Sequence, residues 1–167
     1  KKYKTPNYFY SLKKIKENIK NLKNHFKKIH PLICYAVKAN SNLGILKEIK
    51  KSNLGADVVS GGELMKAIKA GIEPKKIVFS GVGKTIDELE VASFKNIKQI
   101  NVESEEGRND IEEICKKKNK KRDIGLRVNP NVEAKTHSKI STGRYEDKFG
   151  IPENRIIKIF EKFKGNN

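Results

Sequence analysis

The chain predicts an α/β fold in which parallel strands alternate with helices. Three observations carry that reading. Short apolar runs recur at a spacing of roughly 20–30 residues, each followed by a stretch with helical periodicity, as repeated strand–helix units with right-handed crossovers require. Gly, Pro, Asn, Ser and Thr fall between the runs, where turns and helix caps need them. The polar residues that end the runs, Lys38, Ser60, Ser80, Glu103 and Asn129, would all stand on one rim, because ligand chemistry in parallel sheets gathers at the carboxyl ends of the strands. A doubly wound sheet and a barrel both satisfy this pattern. Periodicity does not say whether the helices cover one face or two.

Taken in order, Thr5-Pro6-Asn7-Tyr8-Phe9-Tyr10 is a short extended segment, with Pro6 holding its predecessor out of helical space. Ser11 is placed to cap a helix running to about Lys28, with Leu12, Ile15, Ile19, Leu22 and Phe26 on one face. Leu32 to Val37 is an unbroken apolar run and reads as a strand buried on both faces, ending at Lys38. Asn42 to Ser52 is a helix closed by Asn53-Leu54-Gly55. Ala56 to Val59 is the second strand, and Gly61-Gly62 opens a helix from Glu63 to Ala70, capped by Gly71. Lys76 to Ser80 is the third strand; Thr85 and Glu88 have capping-box spacing at the head of a helix to Phe94. Gln99 to Val102 is the fourth strand, and Ser104 caps a helix to about Lys118. Arg122 to Val128 is the fifth, ended by Pro130. Residues 131–148 lack apolar periodicity and form a long loop, the kind that is usually functional. Pro152 then starts a last helix, Glu153 to Lys164.

At 167 residues, with 36% apolar and 34% charged side chains, the chain can bury one ordinary core. It falls short of the roughly 250 residues of a complete α/β barrel. A net charge of +17 invites a nucleic-acid reading. The lysines are dispersed, however, with Lys13, Lys14, Lys16, Lys20, Lys23, Lys27 and Lys28 along one helix, and no recognition helix or aromatic interleaving accompanies them. Specific nucleic-acid binding is not expected. Two cysteines, Cys34 and Cys115, make no disulfide framework and read as reduced thiols. With no secretory leader and no apolar stretch of membrane-spanning length, the expected location is the cytoplasm, with no membrane partner.

Lys38 is the residue on which function turns. A lysine at a strand end is either a surface cation or an amine held in a site, and the polar rim favours the second. A lysine whose charge is disfavoured by burial or neighbours becomes a nucleophile that forms Schiff bases with carbonyl compounds such as pyridoxal phosphate. Asp57, facing inward from the adjacent strand, is the acidic neighbour that could hold it. Ser60-Gly61-Gly62-Glu63 would let backbone approach a ligand closely; Glu63 at the helix start also complements the helix dipole. Gly83-Lys84-Thr85 imitates a phosphate-binding loop, but Val78 stands where the first glycine of that loop is required. His137, alone in a polar loop, reads as solvated. No metal-ligand spacing is present.

Several segments meet a known family at this point. Tyr35-Ala36-Val37-Lys38-Ala39-Asn40 resembles the cofactor-lysine motif of the alanine-racemase-like, fold type III pyridoxal-phosphate decarboxylases. Gly55 to Leu64, Phe79 to Thr85, Asn101-Val102-Glu103-Ser104, Leu126 to Pro130, Thr136-His137, Ile140 to Gly143 and Lys148-Phe149-Gly150 are similar, in order, to the diaminopimelate decarboxylases. The resemblance implies a (β/α)8 barrel joined to a β-domain, of which residues 1–167 would be the N-terminal part: a helix and about five βα units. It implies pyridoxal 5'-phosphate on Lys38, Asp57 and Glu63 in the cofactor environment, and Arg127 ordering the site. The implied reaction is decarboxylation of meso-diaminopimelate to L-lysine by a homodimer. Decarboxylases of carboxynorspermidine, ornithine or arginine, and a non-catalytic pyridoxal-phosphate-binding barrel, remain alternatives. The family's His-x-Gly-Ser segment, Gly-Gly-Gly phosphate loop, Glu-Pro-Gly-Arg segment and C-terminal Cys and Tyr are not in these 167 residues. The expectation is therefore a polypeptide inactive and poorly stable by itself: either a truncated or split product, which a C-terminal chain could complement, or a piece of a longer protein.

Overall fold

A computed structural model describes residues 3–132 and 149–164. The chain divides into two compact units, residues 1–33 and 34–167.

The first unit contains α1 (Leu12–His25), opened as expected by Ser11, whose side chain accepts the Lys14 N–H at 3.2 Å. The helix ends earlier than its apolar spacing suggests, with Phe26 at its C-cap. In the segment before it, the Tyr3 and Phe9 rings meet edge to face with centroids 6.4 Å apart.

The second unit is a parallel sheet of five strands, β1 (Cys34–Ala36), β2 (Gly55–Val58), β3 (Ile77–Phe79), β4 (Gln99–Val102) and β5 (Ile124–Leu126). Strand order in the sheet is strand order in the chain. Between them run α2 (Leu43–Lys51), α3 (Gly61–Lys69), α4 (Ile86–Lys95) and α5 (Glu105–Lys118). The predicted alternation is present, and all four pairings are parallel.

Side-chain alternation along the strands gives the sheet two unlike faces. Ala56, Val58, Ile77, Phe79, Ile100 and Val102 are almost wholly buried. Their neighbours Asp57, Val78, Gln99 and Asn101 are only half-buried. The core thus lies on one face, where Leu46, Ile49, Leu64 and Leu89 are also buried, and the other face is left polar.

Helix starts are specified one by one. Asn42, Ser60, Thr85 and Ser104 each cap the helix that follows by accepting a backbone N–H. At Thr85 the predicted capping box is complete, and Glu88 does more than complete it. Its second carboxylate oxygen accepts the Gly61 N–H at 2.6 Å, tying the heads of α3 and α4 together. Gly61 permits this, since a Cβ there would sit 3.0 Å from the Glu88 side chain. Asn96 and Asn119 end α4 and α5 in the left-handed conformation, as does Gly71 at φ +90° after α3.

Three sequence expectations need correction. The strand of Leu32–Val37 is only Cys34–Ala36 long, and all three residues are half-buried. It is an edge strand of this sheet, with β2 on one side only, so its apolar composition does not mean burial on both faces. Val37–Ala39 instead forms a 3-10 turn, with Val37 fully buried. The fifth strand breaks at Arg127: β5 stops at Leu126, and β6 (Val128–Asn129) pairs with β7 (Ile151–Pro152) in a separate parallel ribbon. Pro152, expected to start the last helix, instead closes β7, whose Ile151 N–H donates to the Arg127 carbonyl at 2.7 Å. The last helix, α6 (Glu153–Lys164), forms where expected and packs Ile156 and Ile159 with Ile151 and Leu126. Among the described residues, no helix is long and apolar enough to cross a membrane.

Candidate active site

The polar face of the sheet opens into a cavity of about 460 Å³, within the usual size of a small-molecule site. Lys38, Asp57 and Arg127 all line it. Lys38 enters from the 3-10 turn after β1 and is itself exposed. Asp57 stands on β2 opposite Ala36 in register, and its Oδ1 accepts a hydrogen bond from Ser80 Oγ at 2.6 Å. Arg127 occupies the break between β5 and β6. Its guanidinium donates to Glu103 Oε2 at 3.2 Å and lies 4.9 Å from the centre of the Phe149 ring. The cavity therefore presents an amine, the carboxylates of Asp57 and Glu103, and a guanidinium, with Asp57 on β2 and Arg127 just past the end of β5, across β3 and β4.

Glu63 is placed elsewhere. Its carboxylate accepts the Val59 N–H at 2.9 Å from the first turn of α3, and it is not among the residues lining the cavity. Its geometry is that of a loop brace, the dipole-complementing role open to any acid at a helix start. Ser60, also expected on the rim, is spent on capping α3. Asn129 is buried and accepts the Asn131 N–H at 2.9 Å. His137, Ser141, Thr142, Gly143 and Lys148 lie outside the described residues.

Glu103 is the best-held side chain of the rim. With 6% of its side chain exposed, it accepts the Gly81 N–H at Oε1 (3.3 Å) and the Arg127 guanidinium at Oε2. Gly81 reaches it in a positive-φ conformation (φ +109°) that a side chain would strain. Beside it, Lys84 donates to the Gly81 carbonyl and stands 5.9 Å from the Phe79 ring centre. Burial holds the Lys84 amine below the usual lysine range, against the opposing attraction of Glu103 and Glu88. The Gly83-Lys84-Thr85 segment thus braces the loop that carries Ser80 and Gly81. Cys34 and Cys115 are both free thiols; burial first and the Asp57 charge second push Cys34 above the usual thiol range.

Sequence reasoning missed Gln99, Asn101 and Phe149 as cavity residues. Gln99 opens β4 and Asn101 lies within it, rather than at its carboxyl end. Two amides spaced i, i+2 among apolar residues were the available signal, since they share one face of the strand.

Residues 12–164 match the family model described as pyridoxal-dependent decarboxylase, pyridoxal binding domain. A diaminopimelate decarboxylase of Helicobacter pylori is 51% identical over 158 residues, 95% of this chain and 39% of that protein. One of Campylobacter jejuni is 49% identical over the same shares of each. The crystal structure of diaminopimelate decarboxylase from Helicobacter pylori complexed with L-lysine superposes with a TM-score of 0.93 at 48% identity, covering 98% of this chain and 41% of that one. The chain thus spans about two fifths of the length of the curated relatives it matches.

Proposed function

The chain belongs to the pyridoxal-dependent decarboxylases, through their pyridoxal-binding domain, and from that premise we propose that it forms the N-terminal part of the cofactor barrel of a diaminopimelate decarboxylase. The observation that carries the proposal is the meeting of Lys38, Asp57 and Arg127 in one cavity on the polar face of a parallel sheet. Identity near one half to decarboxylases of that name supports the substrate class.

The residues fit pyridoxal 5'-phosphate. The cavity has room for a substituted pyridine, and its donor set holds one amine, two carboxylates (Asp57 and Glu103) and one guanidinium. Lys38 would hold the cofactor through its amine, with Asp57 and Arg127 as charged neighbours and Glu63 bracing the loop behind them. When bound, the cofactor supplies an electron sink for the electron pair left behind as a substrate carboxylate departs as carbon dioxide. The side chains prepare that chemistry. Asp57 fixes a negative charge next to the strand end that carries Lys38. Arg127 fixes a positive charge across the sheet, held by Glu103 and by the face of Phe149. Opposite charges on separated strands orient a ligand that itself carries charges of both signs.

The proposal extends to a cytoplasmic homodimer in which residues beyond these 167, on the same or a complementing chain, grip the phosphate and the substrate. The test uses the full-length gene product incubated with pyridoxal phosphate. Borohydride reduction followed by peptide mass spectrometry should place the cofactor on Lys38. Carbon dioxide should be released from meso-diaminopimelate in preference to carboxynorspermidine, ornithine or arginine. Label on another lysine, or unchanged cofactor absorbance in Lys38→Ala, refutes the site; preference for another amino acid refutes the substrate.

A further inference from the structure

Four polar side chains on the cavity floor form one line of hydrogen bonds. Gln99 Nε2 donates to Asn101 Oδ1 at 2.7 Å, Asn101 Nδ2 donates to Ser80 Oγ at 3.0 Å, and Ser80 Oγ donates to Asp57 Oδ1 at 2.6 Å. Every donor points the same way. A hydroxyl has one proton, so a serine that receives an N–H from Asn101 spends its own proton on Asp57. The line has only one other consistent polarity, with both amides turned round and a proton on Asp57 donated to Ser80. In the direction seen here Asp57 only accepts, so the line fixes the oxygen that faces Ser80.

A second observation, independent of those bonds, concerns Gly125. It lies opposite Asn101 in the register of β4 and β5. A Cβ there would fall 2.5 Å from Gln99 Nε2 and 2.6 Å from Asn101 Oδ1, closer than atoms approach. Glycine on β5 makes the room in which the two amides meet. The backbone also secures Ser80, whose N–H donates to the Val58 carbonyl at 2.8 Å.

We propose that Ser80, Asn101 and Gln99 are positioning residues that hold the Asp57 carboxylate in one orientation beside the strand end carrying Lys38, with Gly125 keeping the space they occupy. Carboxamides do not take up or pass on protons at neutral pH, so the line fixes an orientation rather than conducting a proton. The other charged groups of the cavity are Lys38, Glu103 and Arg127, and Cys34 feels the Asp57 charge from β1. The catalytic value of the arrangement rests on the cofactor reading above, but its test does not.

Cys34 is a built-in reporter of Asp57. In the cofactor-free full-length gene product, iodoacetamide alkylation at neutral pH, read by peptide mass spectrometry, follows Cys34 and Cys115 separately. Asp57→Asn should speed alkylation of Cys34. Ser80→Ala and Gly125→Ala, by letting the carboxylate turn away from Cys34, should each speed it about threefold, the equivalent of roughly half a pH unit in the thiol midpoint. Ser80→Thr should restore the wild-type rate, and Cys115 should be unaffected throughout. In protein loaded with pyridoxal phosphate, the same variants should move the pH midpoint of the cofactor's visible absorbance. An unchanged Cys34 rate in both Ser80→Ala and Gly125→Ala, while Asp57→Asn raises it, overturns the proposal. So does an equal acceleration of Cys115, which would mean general loosening. Loss of the Lys38-dependent absorbance in the wild type would refute the cofactor reading and leave the Cys34 result to decide this one.

Discussion

Replacing Glu88 with alanine should destabilise the protein by about 2 kcal/mol at neutral pH, and the deficit should shrink as the solution is acidified. The carboxylate makes two backbone bonds, one to Thr85 at 3.0 Å within the capping box and one to Gly61 at 2.6 Å across to α3. A lost helix cap costs about 1 kcal/mol. A hydrogen bond to a charged acceptor is worth about 1.5–3 kcal/mol, and partial exposure puts this one at or below the lower end. The backbone N–H groups of Thr85 and then Gly61 hold the Glu88 carboxyl below its ordinary value of 4.5. A carboxyl depressed in the folded state contributes its full stability above its unfolded pKa and loses it as pH falls through the folded one. Urea denaturation of wild type and Glu88→Ala at pH 7 and at several points below 4.5 measures the difference. Glu88→Gln should lose about half as much, with little pH dependence. A gap of the same size at every pH would show that Glu88 acts through packing and refute the argument.

Three further outcomes follow from the same geometry. Phe79→Ala empties a fully buried position on β3 and should cost about 3–5 kcal/mol in urea denaturation. The unfolded chain binds a proton at Lys84 more readily than the folded one, so stability should rise with pH between the folded Lys84 value and 10.5. Lys84→Met should flatten that alkaline slope, read by denaturation across the range. A double-mutant cycle on Glu103→Gln and Arg127→Met should give a coupling of about 1 kcal/mol, since Arg127 is 40% exposed and solvent screens the pair.

The frame of this fold was legible because its signals are local. Ser11, Thr85 with Glu88, and Ser104 announce helix starts through contacts three residues long, and each of those caps is present. Lys38, Asp57 and Arg127 were legible for a different reason, through the motifs that carry the family resemblance. The reach of Glu88 to Gly61, the brace from Gly81 and Arg127 onto Glu103, and the line from Gln99 to Asp57 join residues more than 20 positions apart. Such contacts leave no periodic trace. Glu63 shows the converse, a local contact: its carboxylate takes the Val59 N–H four residues back. The break at Arg127 was hidden because Val128 and Asn129 continue an extended strand while changing the partner they pair with.

The identity of chain order and sheet order has a consequence for how the protein is made. Cys34 lies opposite Gly55, Ala56 opposite Ile77, and Val78 opposite Gln99, so the first three pairings close over the same length of chain, and the last, Ile100 opposite Ile124, over a slightly longer one. During synthesis from the N-terminus, every strand from β2 to β5 finds its partner among residues already made, and the loop closed at each step is short. Folding can therefore keep pace with the ribosome, adding one capped βα unit at a time. The cavity comes last: Lys38 and Asp57 are in place early, but Gly125 and Arg127 reach it only with the final strand of the sheet.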